Sequence, residues 1–440
     1  MSTGPEQELD CVVVGGGLAG LACAHGLATR GRSVRVLEAA EAAGGRARSV
    51  WHEGRPVDRG FQVVFAGYPE LRRFMGAVGI PRADLRPVTG GAAFHDGSRW
   101  HQLRPTPAGL ARFTGMPMAD RVRLARLGAE VLASPDSALL QRDGDALSTE
   151  AFLQARGFSA QAIEGFFRPF WGVVFLDRAL GADPGYFRFL LKMLVKAPAV
   201  LPTDGLGMIA EWAAAAIRQA GGRVETGRRV EALERDASAR VSAVRVEGGE
   251  RVRARWVVLA TESPSAQGLL GEVDPASAGR LPTEAASVAT VAFALARPLY
   301  QGRLILVNAG PDLQPGPRID LMCQTTNITR PHVEAGPHIL LATHVTTPHA
   351  GTPDGLEDAV AQTVRRWHPG YPWERLATPL GVVEHRFAQF RPLAGVRREL
   401  PGPRTAAPNL VLAGDLTAHP SLEGAVSSGA AAARVVDAAL

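Results

Sequence analysis

Gly15, Gly17 and Gly20 stand at G-x-G-x-x-G spacing directly after the apolar run Val12-Val13-Val14, and an Ala/Leu-rich stretch continues from them to Arg30-Gly31-Arg32. Residue types in that order suit one task, the holding of a pyrophosphate. Gly15 permits a tight turn out of a strand, Gly17 lets backbone approach phosphate, and Gly20 lets the next helix pack closely on that strand. The helix begins at Leu18 and Ala19, whose amides lack partners inside their own helix and face the anion. A second strand, Ser33-Val34-Arg35-Val36-Leu37, ends in Glu38, an acid about 20 residues beyond the glycines. Glu38 is predicted to accept hydrogen bonds from ribose hydroxyls, and with no arginine in its place a 2′-phosphate is not expected.

A matching half closes the chain. Leu410-Val411-Leu412-Ala413 reads as a strand ending at Gly414-Asp415, and Leu422-Glu423-Gly424-Ala425-Val426 opens a last helix running to Leu440. Asp415 is placed to bind polyol hydroxyls. The amides of Gly424, Ala425 and Val426 are placed to stabilise negative charge at a helix start. Glu423 reads as a helix-capping acid rather than a catalytic one. Beyond Glu38, the run Glu41-Ala42-Ala43-Gly44-Gly45-Arg46-Ala47-Arg48 adds a Gly-Gly-Arg turn.

An acid followed by a Gly-Gly-Arg turn resembles the superfamily of monoamine oxidases, protoporphyrinogen oxidases and phytoene desaturases. That resemblance implies FAD, with Gly44 and Gly45 against the dinucleotide, Arg46 supporting the pyrophosphate, Asp415 on the ribitol and the last helix at the flavin N1/C2 carbonyl. Val57-Asp58-Arg59-Gly60-Phe61-Gln62 resembles the segment beside the flavin ring, bringing in Gly60 and leaving Asp58 as a turn acid. The closing Gly-Asp-Leu-Thr and Ser-Leu-Glu-Gly-Ala-Val-Ser-Ser-Gly are most similar to the plant and cyanobacterial phytoene desaturase form. No cysteine or histidine adjoins Leu422-Glu423-Gly424, so FAD is expected to be held non-covalently. The implied fold is α/β, a discontinuous Rossmann-like FAD-binding domain with an inserted α+β substrate domain.

FAD-binding segments are expected at 1–74, 205–265 and 380–440, and substrate-domain segments at 75–204, mainly helical, and 266–379. Between Gly222 and Ala260, alternating and continuous apolar runs separated by Gly-Gly turns read as a β-meander returning to the parallel sheet. By the resemblance, the backbone of Val230 touches adenine. A helix is expected from Gly355 to Trp367.

With 440 residues and 46% hydrophobic content, two sizeable cores are available. No long uncharged apolar run suggests a membrane span, and the polar, acidic stretch from Met1 to Asp10 is unlike a signal peptide. Cys11, Cys23 and Cys323 are too few for a disulfide framework, so a reducing, cytoplasmic setting is expected. The net charge of +5 is not gathered into basic runs interleaved with aromatics, which argues against nucleic acid. The histidines lack metal-ligand spacing, and His344 and His349 read as loop residues.

Two absences bear on the substrate. Related amine oxidases carry a lysine near flavin N5 after the meander, whereas Lys192 and Lys196 both precede it here. They also tend to place an aromatic just before the final Glu-Gly-Ala, where this chain has Leu422. Both point to a hydrophobic, isoprenoid-like substrate and an organic electron acceptor in preference to oxygen, with no catalytic side chain assigned. A protoporphyrinogen- or amine-oxidase-like enzyme, a flavin-dependent isomerase and a non-catalytic flavoprotein stay open.

Two further stretches stand out. Phe166-Phe167-Arg168-Pro169-Phe170-Trp171-Gly172-Val173-Val174-Phe175 reads as core wall or as a slot for a polyene, with Arg168 as its one conspicuous charge. In Tyr186 to Lys196, the cations Arg188, Lys192 and Lys196 recur four apart beside an apolar remainder. That pattern fits either a core helix with a wet edge or a peripheral membrane contact.

Overall fold

The computed structural model describes residues 8–140, 147–311, 316–330, 337–346 and 350–440. His349 and the first seven residues, part of the N-terminal reading, lie outside the described residues.

Strand Leu9–Val14 sits inside a seven-stranded sheet, flanked in parallel by Val34–Leu37 on one side and Arg251–Leu259 on the other. Covered on both faces, it carries the near-continuous apolar run that a buried parallel strand requires. Arg223–Glu225 extends the sheet beside Val34–Leu37, and Leu410–Leu412 pairs in parallel with the inner end of Arg251–Leu259. The meander is present as Val230–Arg235, Val241–Val246 and Arg251–Leu259, paired antiparallel. Three separate stretches of sequence therefore build one nucleotide-type sheet.

The two ends of the chain meet on one face of this sheet. Helix Leu18–Ala28 lies against the final helix, Leu422–Asp437, through small residues. A Cβ on Gly429 would sit 2.1 Å from the carbonyl oxygen of Ala19, so only glycine allows this approach.

A second seven-stranded sheet runs in the order Ala377–Phe390, Ala285–Leu295, His338–Val345, Leu321–Gln324, Leu304–Asn308, Gly91–His95, Trp100–Leu103. Strand Ala377–Phe390 pairs along its length with Ala285–Leu295, so the expected division between residues 379 and 380 falls inside one strand of this sheet. The segment 75–204 is largely helical, as its pattern suggests, and the helix expected after Gly355 is Leu356–Trp367.

Helix Pro184–Lys196 is a core element. Tyr186, Phe187, Phe189, Leu190, Leu191 and Met193 are buried, and so is Lys192, whose ammonium donates to the carboxylate of Asp136 and the carbonyl of Ser134. The shared exposed stripe expected of Arg188, Lys192 and Lys196 is therefore absent: a four-residue spacing puts side chains on one face, but here that face turns partly inward. Arg168 is likewise a clamp, bonded to Glu164, Glu150 and the carbonyl of Arg178.

Asp58 ties the hairpin Ser49–His52/Arg55–Asp58 to helix Gly207–Gln219, accepting from the Ser49 hydroxyl and the Leu206 amide. Burial pushes its carboxyl up to about 6, against these two hydrogen bonds. The folded state then binds the proton that the unfolded chain releases near pH 4. Stability contributed by this site is complete below about pH 4 and falls as pH rises to about 6, by about 3 kcal/mol. Asp58→Asn is expected to remove that slope, measured as the difference in urea unfolding free energy between variant and parent across this window.

Candidate functional site

A cavity of about 950 Å³ runs between the two sheets, and its walls collect residues from both ends of the chain. Of the residues predicted from sequence, Gly15, Gly17, Leu18, Ala19, Glu38, Gly44, Gly45, Arg46, Gly60, Val230, Gly414, Asp415 and Ala425 line it. Gly20, Gly424 and Val426 do not; they stand behind the wall and shape it. A Cβ on Gly20 would lie 2.0 Å from the carbonyl oxygen of Gly15, so this glycine sets the helix-to-strand distance.

At the nucleotide end, Gly15 has φ +105, and a side chain there would strike the Ala260 carbonyl. Gly17 caps helix Leu18–Ala28 with no side-chain hydrogen bond, and nothing stands within 4 Å of the place its Cβ would occupy. The helix start is thus open on the side of Gly17, room an anion needs. The Gly-Gly-Arg turn docks here, the amide of Gly44 donating to the Gly16 carbonyl at 2.8 Å. Glu38 is oriented by two backbone amides: Oε2 accepts from Gly16 at 2.6 Å and Oε1 from Ala40 at 2.8 Å. Arg48, Arg59, Arg228 and Arg229 also line the cavity, beside Glu231 and Glu262, and Arg228 and Arg229 are paired with Glu250 and Glu247.

Arg46 and Asp415 form a two-pronged pair across the cavity wall. Nη1 donates to Oδ2 at 2.9 Å and Nη2 to Oδ1 at 3.1 Å, while Nη1 also donates to the Ala388 carbonyl at 2.6 Å. Burial opposes the charge on Arg46, but the Asp415 carboxylate outweighs it and holds the guanidinium above its ordinary range. Arg46 thus binds the Asp415 carboxylate predicted to meet the ribitol, and so joins the opening turn, the long strand of the second sheet and the closing strand.

At the last helix, Ser421 caps the start. Its hydroxyl accepts from the Gly424 amide at 3.0 Å and its carbonyl from the Ala425 amide at 2.9 Å. These two predicted donors are therefore engaged within the helix itself. Glu423 is buried and caps a different helix, Pro69–Ala77, accepting from the amides of Glu70 at 2.9 Å and Leu71 at 2.8 Å.

Sequence reasoning missed Tyr68, Tyr186, His419 and Ser421, which gather where the last helix begins. Tyr68, Tyr186 and Ser421 line the cavity. The Tyr186 hydroxyl donates to the Pro420 carbonyl at 2.6 Å. His419 Nδ1 meets the Ser421 hydroxyl at 2.9 Å, and burial holds its imidazole down to about 3, hence neutral. Only the proximity of His419 and Ser421 to the closing motif hinted at them; Tyr68 and Tyr186 arrive through tertiary packing.

Beyond this point the walls turn apolar: Phe61, Phe65, Phe170, Val173, Val174 and Leu422. The aromatic segment divides its work, with Phe170, Val173 and Val174 facing the cavity while Phe166, Phe167, Trp171 and Phe175 are buried. It begins with a π-helical turn, Ile163–Phe167, and ends at Leu176, held in the left-handed region with φ +52. Both departures from regular helix are of a kind that clusters at functional sites. No lysine lines the cavity. Among the described residues no cluster of metal-ligating side chains occurs, and burial raises all three cysteine thiols, Cys23 to about 12. His344 is in a buried strand, its Nδ1 bonded to the Arg318 carbonyl.

The glycine-built cradle, the open helix start and the acid at the end of the second strand fit FAD. Residues 18–437 match the sequence profile of a family described as flavin containing amine oxidoreductase. Hydroxyneurosporene desaturase of Rhodobacter capsulatus is 48% identical over 58 residues, a match spanning 13% of this chain and 12% of that protein. Among solved structures, an oxidoreductase from Methanosarcina mazei superposes with a TM-score of 0.73 at 16% identity, covering 96% of this chain and 99% of its own. Putrescine oxidase bound to putrescine gives 0.68 at 18% identity, covering 99% and 100%. The structural likenesses carry the fold.

Glu38→Ala is expected to weaken FAD binding by about 1.5–3 kcal/mol, the loss of hydrogen bonds to a charged acceptor. Fluorescence titration of the FAD-free protein measures this, and unchanged affinity would remove Glu38 from the site.

Proposed function

The chain belongs to the flavin-containing amine oxidoreductase family and is an FAD-dependent oxidoreductase, and from that premise we propose a desaturase-like reaction on a hydrophobic, isoprenoid-class substrate. FAD, when bound, supplies the two-electron acceptor. The residues of this chain bind, orient and exclude water. The observation that carries the reading is the apolar part of the cavity wall, to which Phe61, Phe65, Phe170, Val173, Val174 and Leu422 contribute. Such walls match the hydrocarbon body of a polyene, whose removal from water is the favourable term in binding. The partial match to a desaturase agrees with this. The absence of lysine from the cavity wall supports an organic, quinone-like electron acceptor over oxygen.

The test is anaerobic mixing of the FAD-loaded protein with phytoene in detergent, with protoporphyrinogen or with putrescine. The expected outcome is loss of visible flavin absorbance with phytoene, and slow reoxidation in air that a quinone accelerates. Bleaching by putrescine with rapid peroxide release would contradict the proposal. Conversion of the polyene with no net electron uptake would assign an isomerase instead.

A further inference from the structure

Helix Met118–Ala133 carries an apolar face that no other part of the described chain covers. Its inner side, with Leu124, Leu127, Gly128 and Val131, is buried, and the helix packs on Pro184–Lys196. On the opposite side Met118, Val122, Ala125, Ala129 and Leu132 recur at alternating steps of four and three residues, which sets them in one line along the helix. All five are exposed, Met118 at 61%, Val122 at 44% and Leu132 at 46%. Val195 carries the line onto the neighbouring helix: it is 46% exposed, and its Cγ2 lies 3.9 Å from the place a Cβ on Gly128 would occupy. Single exposed apolar side chains are ordinary, whereas a continuous patch of them marks a contact surface.

Charge around the patch has one sign. From Arg104 to Arg126 the chain carries five arginines, Arg104, Arg112, Arg121, Arg123 and Arg126, against a single acid, Asp120. Asp120 is 1% exposed and held by Arg123 and the Ser159 hydroxyl. Glu130, later on the same helix, is taken by Arg156. Arg121 and Arg126 flank the apolar line on its two sides by helical spacing, and Arg112, Arg126 and Lys196 are exposed. A second copy of the chain docked on this face by a two-fold axis would set like cations against each other. An anionic bilayer complements both features, with acyl chains for the apolar line and phosphates for the cations beside it.

We infer that the outer face of helix Met118–Ala133, together with Val195, docks on an anionic lipid surface, its apolar line entering the boundary between headgroups and acyl chains while Arg112, Arg126 and Lys196 meet lipid phosphates. The inference goes beyond the proposed reaction and does not depend on it. It differs from the contact expected of Arg188, Lys192 and Lys196, of which Lys196 alone stands beside this face. The docked helix is also close to the cavity wall. Phe113, in the turn that leads into it, lies 5.7 Å from the ring of Phe166, which stacks at 6.2 Å on Phe170, a residue of the apolar wall.

The test is co-sedimentation of the FAD-loaded protein with vesicles of equal parts phosphatidylcholine and phosphatidylglycerol, or of phosphatidylcholine alone. Binding is expected to the anionic vesicles at low salt and to fall as salt is raised. Arg112→Gln/Arg126→Gln should weaken it by roughly 10- to 30-fold, and Met118→Ser/Val122→Ser/Leu132→Ser by at least roughly 10-fold, with FAD content and unfolding midpoint unchanged. Cys11, Cys23 and Cys323 are buried, so Val122→Cys can be labelled alone with a polarity-sensitive fluorophore, which should brighten on the anionic vesicles. That label decides the matter if either multiple variant loses FAD. Failure of the parent to bind anionic vesicles at low salt, equal binding by either variant, or a label that stays dim on vesicles overturns the inference. A concentration-dependent dimer, seen by sedimentation velocity and abolished by the triple serine variant, also overturns it and gives the face to a second copy.

Discussion

The pairing of Arg46 with Asp415 is the contact on which the site depends. It joins a turn near the start of the chain to a strand near its end, and its second bond, to the Ala388 carbonyl, brings in the other sheet. Asp415 is only 5% exposed, so its charge requires a fixed partner close by. The guanidinium provides two bonds, one to each carboxylate oxygen, which lysine cannot supply in that fixed fork. Around this link the first and last helices meet at Gly429 and Ala19. The cavity takes its shape from the closure.

Two chemically different ends follow from that closure. The nucleotide-type sheet gives glycines, open amides and arginines, all suited to charge. The second sheet and the helices before it give aromatic and aliphatic walls interrupted by very few polar groups. Tyr186 belongs to both ends: it lines the cavity and bonds the backbone just ahead of the last helix. On the same helix Lys192 is buried and donates to Asp136, while Tyr186 and Leu190 line the cavity.

What could be read from sequence follows the range of the interactions concerned. The glycine spacing, Glu38, the Gly-Gly-Arg turn and the strand ending at Asp415 are local patterns with steric causes, and most of them stand on one cavity. The helix-cap reading of Glu423 was right in kind, but the helix it caps is Pro69–Ala77 rather than its own. The amide of Gly424, a donor the sequence places at the cofactor, is engaged by Ser421 three residues earlier. Arg168 stood out in an aromatic run, yet its partners, Glu150 and the Arg178 carbonyl, are fixed by tertiary packing.

A double-mutant cycle on Arg46→Gln and Asp415→Asn tests the central claim most directly, read both as unfolding free energy of the FAD-free protein and as FAD affinity. If this pair closes the site, each single substitution lowers stability and FAD affinity together. The double variant then loses little more than either single one, with a coupling of about 2 kcal/mol. Additive losses in stability, with FAD affinity unchanged in the single variants, would contradict the account.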